Sequence, residues 1–181
     1  MITLQELYIE QGAKSDKGTI HDYIEGYYSQ EFSDKRNKKI KLMEIGVHRG
    51  PSIVLWKSWF KNSEIVGVDN EDIYECDPVY DRLLIEDAYT DEFIDKFTDG
   101  YFDYIIDDGP HTLESQIISA TKWIRKIKSG GKLIIEDIQS PDWINPLRNS
   151  LDMSIVSEYK VFDFRNNKNR YDDIIFEVTK K

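Results

Sequence analysis

The stretch "LMEIGVHRGPS" at residues 42–52 contains an apolar run, a loop bounded by Gly46 and Gly50, and a proline placed to open a helix. Pro51 suits a first helical position, because the N–H it lacks is one that a helix leaves unpaired there anyway. The helix that follows is expected to turn Val54, Leu55 and Trp59 inward. Similar apolar runs recur along the chain: "IKLMEIG" (40–46), "EIVGVD" (64–69), "RLLIED" (82–87), "YFDYIID" (101–107) and "GKLIIED" (131–137), with helical patterns between them. Strands that are apolar throughout, rather than alternating, are buried on both faces, as in a parallel sheet flanked by helices. Strand and helix in alternation predict an α/β, doubly wound architecture.

The best intervening helix is "TLESQIISATKWIRKIKSGG" (112–131). Leu113, Ile117, Ala120, Ile124 and Ile127 share one stripe, Thr112 can cap the start, and Gly130 with Gly131 is expected to stop it. After residue 150, "MSIVSEYKVFDF" and "YDDIIFEVT" alternate more and flank a turn-like "RNNKNR", which predicts an antiparallel hairpin at the sheet edge. The expected fold is a mostly parallel seven-stranded sheet with a C-terminal antiparallel hairpin.

The 181 residues suit one domain with one core. Acidic residues outnumber basic ones by 34 to 24, a formal charge of -10 that would be repelled by phosphate backbones and anionic membranes. Neither nucleic acid nor a membrane is an expected partner, and "DKRNKK" and "RNNKNR" read as solvated loops. The single cysteine, Cys76, excludes an internal disulfide, and "MITLQELYIE" has neither a basic nor an apolar leader region. No apolar run approaches the ~18 residues a bilayer crossing needs. A soluble, cytoplasmic protein is the expectation.

Chemistry concentrates at the ends of the apolar runs. The loop spacing Glu44, Gly46, Gly50 lacks the G-x-G-x-x-G pattern of dinucleotide sites, which disfavours a nicotinamide cofactor. Asp69, at the tip of the second run, stands where a carboxylate accepts hydrogen bonds from ribose hydroxyls. Asp87 in "IEDAY" could receive an adenine amino group or cap the following helix. The fourth run ends as "FDYIIDDGPHTLES" (102–115), placing Asp107 and Asp108 before His111, and the fifth ends in Glu136 and Asp137. Carboxylates crowded in a dry site call for a proton, a cation or a polar ligand. Neighbouring residues of a strand face opposite ways, so within each pair one member could face a ligand while Asp107 and Glu136 could instead face the nucleoside or support the backbone.

These tips together resemble the class I S-adenosylmethionine-dependent methyltransferases, whose glycine loop has the form E-x-G-x-x-x-G. "IDDGPH" followed by "GGKLIIEDI" is similar to the metal-dependent macrolide sugar O-methyltransferases of the mycinamicin and macrocin type, and "SDKGTIHDYIEGYY" resembles that family's opening. The resemblance implies a Rossmann-like methyltransferase with S-adenosylmethionine and magnesium as cofactors. It places Asp108, Glu136 and Asp137 on the metal and makes His111 the general base. Glu44, Gly46, Gly50, Ser52, Asp69, Asp87, Ala88 and Asp107 would surround the cofactor.

Residues 1–35 are expected to form a helical lid segment of a single domain, 1–181, whose catalytic core is 40–181. Within it, "KSDKGTIHDYIEGYYSQEF" brings Lys17, His21, Tyr23 and Tyr27 as candidate lid or substrate contacts. The implied reaction is methylation of a hydroxyl on a sugar or glycosylated small molecule, with a homo-oligomer left open. Two competing readings remain: a non-catalytic nucleoside-binding module, and a metal-dependent hydrolase on the same scaffold.

Overall fold

The computed structural model describes residues 2–76 and 79–181. Seven strands form one sheet: β1 (Lys39–Ile45), β2 (Asn62–Asp69), β3 (Arg82–Ile85), β4 (Phe102–Asp107), β5 (Ile127–Ile135), β6 (Val156–Asp163) and β7 (Ile174–Lys180). Their order is β3-β2-β1-β4-β5-β7-β6. The first five are parallel, and β7 runs antiparallel to both β5 and β6. The expected sheet and edge hairpin are both present.

Strand order reverses between β1 and β4, so the crossovers leave on opposite faces there and open a crevice at the carboxyl ends. The register aligns those ends: Ile45 pairs with Val68 and with Asp107, and Asp107 pairs with Ile135. Everything just past these residues meets at one edge of the sheet.

Alternation along each strand builds two cores. Met43, Ile45, Ile105 and Leu133 face the helices Asp91–Ile94, Leu113–Ile118 and Ile144–Ser150. Leu42, Ile65, Ile106 and Ile134 face the N-terminal segment and the helix Pro51–Trp59. That helix buries Ile53, Leu55, Trp56 and Trp59, so Leu55 and Trp59 turn inward as expected, while Val54 is only half-buried and Ile53 and Trp56 complete the inward stripe.

The N-terminal segment packs tightly across the second face. A helix Leu4–Glu10, capped by a Thr3–Glu6 capping box, leads to a short helix Asp16–Thr19 and a π-helical stretch Ile24–Tyr28. Tyr23, Tyr28 and Phe32 have no exposed surface, and each buried ring contributes about 1.5–3 kcal/mol. Ser15 caps the Asp16–Thr19 turn, its hydroxyl accepting from Lys17 N at 3.3 Å. This fixes the backbone from which Lys17 turns inward.

The helix that begins after Thr112 differs from expectation at its far end. It runs Leu113–Ile118, widens into a π-helical turn Ser119–Trp123, and finishes at Lys126 instead of at Gly130 and Gly131. Ile127 is already extended and pairs with Phe102, because its side chain gains complete burial in the sheet. Gly131 serves a different purpose: a Cβ there would lie 2.6 Å from Asp103 O, so the glycine lets β4 and β5 approach.

Candidate active site

The glycine loop after β1 is held from both sides. Gly46 has φ +82°, and a Cβ on it would lie 1.9 Å from the carbonyl oxygen of Asp108. No larger residue fits without moving β1 or β4. Asp69 Oδ2 accepts the N–H groups of Val47 at 3.0 Å and His48 at 2.8 Å, which fixes the loop and orients the carboxylate at the β2 tip. Gly50, at φ +94°, precedes the helix Pro51–Trp59 and lies against the Tyr74 ring.

A cavity of about 790 Å³ opens above these strand ends. Gly46, Asp69, Asp87 and Ala88 line one part of it, and Asp108 and His111 line another. The volume suits a nucleoside with a polar tail. His48, Asn70, Glu86 and Tyr89 also line it, beyond the residues expected from the sequence. Tyr89 had a signal, since it directly follows Asp87 and Ala88 in "IEDAY".

Other expected cofactor residues, Glu44, Ser52 and Asp107, are buried and do not line the cavity. Glu44 has no exposed surface, and its Oε2 accepts from Ser52 Oγ at 2.8 Å and Trp56 Nε1 at 3.2 Å, so Ser52 bonds to Glu44. Asp107 accepts from Tyr89 OH and from Ser119 Oγ, both at 2.5 Å, and from Gly109 N at 3.3 Å. Burial pushes the Asp107 carboxyl up, while Ser119 and Tyr89 oppose the shift. The π-helical turn is what carries Ser119 to Asp107.

Asp108 and His111 line the cavity and converge with Asp137, each of the three offering a ligand atom within 4.8 Å of the others. His111 Nε2 is 3.7 Å from Asp108 Oδ1 and 3.7 Å from Asp137 Oδ2. His48, His111 and Asp137 all adopt positive φ, at 46°, 51° and 53°. Such conformations cost about 1–3 kcal/mol each in non-glycine residues and persist where the surroundings impose them. Gln116 Nε2 supports the turn at Asp137 by bonding the carbonyls of Glu136 at 3.2 Å and Asp137 at 3.4 Å. The two carboxylates, on convergent backbone, fit a hard divalent cation that keeps positions for other oxygen ligands, with the His111 imidazole beside them.

Glu136 is held by the N-terminal segment. Lys17 Nζ donates to one of its oxygens, and Tyr28 OH donates to the other at 2.5 Å. The same ammonium donates to Asp108 Oδ2 at 2.5 Å and lies 3.2 Å from Glu44 Oε1. Burial alone would lower the Lys17 pKa, but Asp108, Glu136 and Glu44 outweigh it and raise it well above the ordinary lysine range. Burial raises Glu136 to about 7, with Lys17 opposing and Asp137 adding to the rise. Burial likewise raises Asp108 well above the carboxylate range, Lys17 opposing and Glu136 and Asp137 adding.

The remaining N-terminal candidates divide. Tyr23 OH donates to Asp137 Oδ1 at 2.6 Å, and His21 Nδ1 lies 3.5 Å from that oxygen and 2.6 Å from Asp173 Oδ1. Tyr27 OH donates to Glu177, away from the cavity. Asp172 and Asp173 were not singled out in the sequence. Their signal was an acidic pair abutting a buried strand, the same feature that drew notice to Asp107 and Asp108.

Solved structures share this fold over nearly the whole chain. The chain superposes on a SAM-dependent methyltransferase from Archaeoglobus fulgidus with a TM-score of 0.60 at 14% identity, covering 96% of this chain and 98% of that one. The MycE methyltransferase of the mycinamycin biosynthetic pathway, in complex with Mg, SAH and mycinamycin VI, superposes with a TM-score of 0.73 at 23% identity. That match covers 99% of this chain and 54% of the other. The fold is the Rossmann-like methyltransferase fold. No protein-family model matches the chain. Curated relatives that the chain matches include O-methyltransferases named for mycinamicin VI, a rhamnosyl tetracenomycin and demethylmacrocin. Mycinamicin VI 2''-O-methyltransferase of Micromonospora griseorubida is 31% identical over 135 residues, 70% of this chain and 34% of that protein. The chain thus spans about a third of the length of the curated relatives it matches. Among the described residues, no helix is long and apolar enough to cross a membrane.

Proposed function

We propose that the chain transfers a methyl group from S-adenosylmethionine to a hydroxyl of a sugar or glycosylated small molecule, with Asp108 and Asp137 holding magnesium and His111 acting as general base. One observation carries the reading: the strand tips suited to a nucleoside, Gly46, Asp69 and Asp87, and the convergent Asp108 and His111 line the same cavity. A methyl donor and a metal-held acceptor would therefore meet inside it. The relatives' named activities support the same reaction class.

Asp69 accepts the ribose hydroxyls, Gly46 lets the donor lie against the backbone, and Asp87 receives the base. Magnesium, when bound, lowers the pKa of an acceptor hydroxyl and fixes its orientation. His111 Nε2 takes the hydroxyl proton as the oxygen attacks the methyl carbon in line with the departing sulfur. Tyr23, through Asp137, and Lys17, through Asp108 and Glu136, hold the acidic groups in place. Glu136 serves as counter-ion to Lys17 instead of a metal ligand. Residues 1–35 cover the site from one face within a single domain, and Tyr27 anchors that cover on Glu177.

The test is incubation with S-adenosylmethionine, magnesium and a panel of glycosides, read by mass spectrometry for the gain of one CH2, beside a chelator control. A magnesium-dependent gain on a sugar hydroxyl supports the proposal. Cofactor binding with no product on any glycoside reduces the protein to a nucleoside-binding module, and failure to bind the cofactor removes methyl transfer altogether.

A further inference from the structure

Behind Asp137, outside the cavity, lies another set of ligand-type side chains. His21 sits in the bend between the helix Asp16–Thr19 and the π-helical stretch, and Asp172 and Asp173 immediately precede β7. Each offers a ligand atom within 4.8 Å of the others, and all three are buried. Asp173 has no exposed surface and Asp172 is 5% exposed.

The hydrogen bonds around them leave the set incomplete. His21 Nδ1 reaches Asp173 Oδ1 at 2.6 Å, and Arg170 Nη2 touches Asp172 Oδ2 at 3.4 Å. Asp172 Oδ1 and Asp173 Oδ2 are buried with no hydrogen-bond partner. Buried polar atoms are normally satisfied, and two orphaned carboxylate oxygens in one cluster ask for a cation. Asp137 adds a third carboxylate: its Oδ1 lies 3.5 Å from His21 Nδ1, while its Oδ2 lies 3.7 Å from His111 Nε2 on the cavity side. Of the side chains already named around the cluster, Arg170 is the one permanent cation, against three acids.

We propose that His21, Asp172 and Asp173 form a second divalent-cation site, with Asp137 facing it through Oδ1 and the cavity site through Oδ2. One imidazole with carboxylate oxygens suits a first-row ion such as Mn2+ better than Mg2+, which favours an all-oxygen shell. A carboxylate shared between neighbouring cations is the arrangement two-metal sites use. The second ion would tie the N-terminal segment to β7 and hold Asp137 for the first.

The test uses the whole chain, stripped by chelator and titrated with Mn2+ alone, without S-adenosylmethionine or acceptor. Bound ion is counted from the loss of the free Mn2+ resonance and by calorimetry. Two equivalents are expected for the natural chain, one for Asp173→Asn, and one for Asp108→Asn. If Asp173→Asn loses its native circular dichroism, His21→Gln gives the same reading from the other side of the cluster. One equivalent in the natural chain, or two equivalents retained by Asp173→Asn and His21→Gln, overturns the proposal. Because the readout is ion binding, a chain that binds two ions and methylates nothing would sustain this inference while removing methyl transfer, and the converse holds equally.

Discussion

Lys17 and Asp108 stand 91 positions apart in the chain, yet the buried ammonium of the one donates to Oδ2 of the other at 2.5 Å. The contact ties the N-terminal segment to the tip of β4 and brings a fixed positive charge to a crowd of carboxylates. Removing one partner from a buried ion pair costs far more than the pair itself contributes, since the remaining charges stay buried and unpaired.

Lys17→Met is therefore expected to destabilise the chelator-treated protein by about 3–5 kcal/mol, measured by urea unfolding. Adding Mg2+ should recover more stability in the variant than in the natural chain, because the ion then supplies the missing countercharge. Equal magnesium effects in both would show that Lys17 and the cation do not share the carboxylates.

His111→Ala is expected to lower methyl transfer by about 100-fold or more, the usual contribution of a positioned general base, with little change in S-adenosylmethionine affinity. Rate measurements at saturating cofactor, together with calorimetry, check this. Unchanged turnover would exclude His111 as the base, and a parallel loss of magnesium affinity would make it a ligand.

Asp69→Ala should act on the opposite end of the cavity. It loses charge-assisted hydrogen bonds worth about 1.5–3 kcal/mol, so cofactor affinity should fall by about tenfold or more. Metal binding, several side chains away, should be unaffected. Asp108→Ala and Asp137→Ala should do the reverse, abolishing magnesium-stimulated turnover while cofactor still binds.

Gly46→Ala introduces a Cβ 1.9 Å from Asp108 O at a backbone φ of +82°. Overpacking of this kind costs about 1–3 kcal/mol, and here it also pushes apart the two strands that carry the site. A lowered melting temperature with a weakened cofactor titration is expected. Gly100→Ala, where a Cβ meets nothing within 4 Å, separates this packing clash from the cost of positive φ alone, since Gly100 has φ +70°.

Glu136 sets a pH dependence whose sign follows from its raised pKa of about 7 against an ordinary 4.5. The folded state holds the proton more tightly than the unfolded chain, so the contribution is present below about pH 4.5 and is lost as pH rises through about 7. Metal-free protein should lose melting temperature between pH 5 and pH 8 more steeply than Glu136→Gln. A steeper slope in the variant would contradict the raised value.

Legibility in the sequence followed the range of the interaction. Apolar runs, the glycines of "LMEIGVHRGPS" and acidic strand tips report local chemistry, and the mostly parallel sheet with a site at its carboxyl ends follows from them. The end of the long helix was misplaced because Ile127 answers to Phe102 across the sheet, not to the glycines beside it. Glu44 and Ser52 have the right spacing for a ligand loop, but β1 alternation turns Glu44 to the N-terminal face, and it does not line the cavity.

By itself, the sequence determined the α/β order, the strand tips and the convergence of acids with His111 at one sheet edge, because period-two burial and strand-end position are local properties. Tertiary structure alone decided which acid serves which partner. Lys17 and Tyr28 claim Glu136, Tyr23 and His21 reach one oxygen of Asp137, and His111 lies beside the other. Those pairings depend on where a distant segment packs, and a carboxylate's role in a buried site is set by the charges that reach it through space.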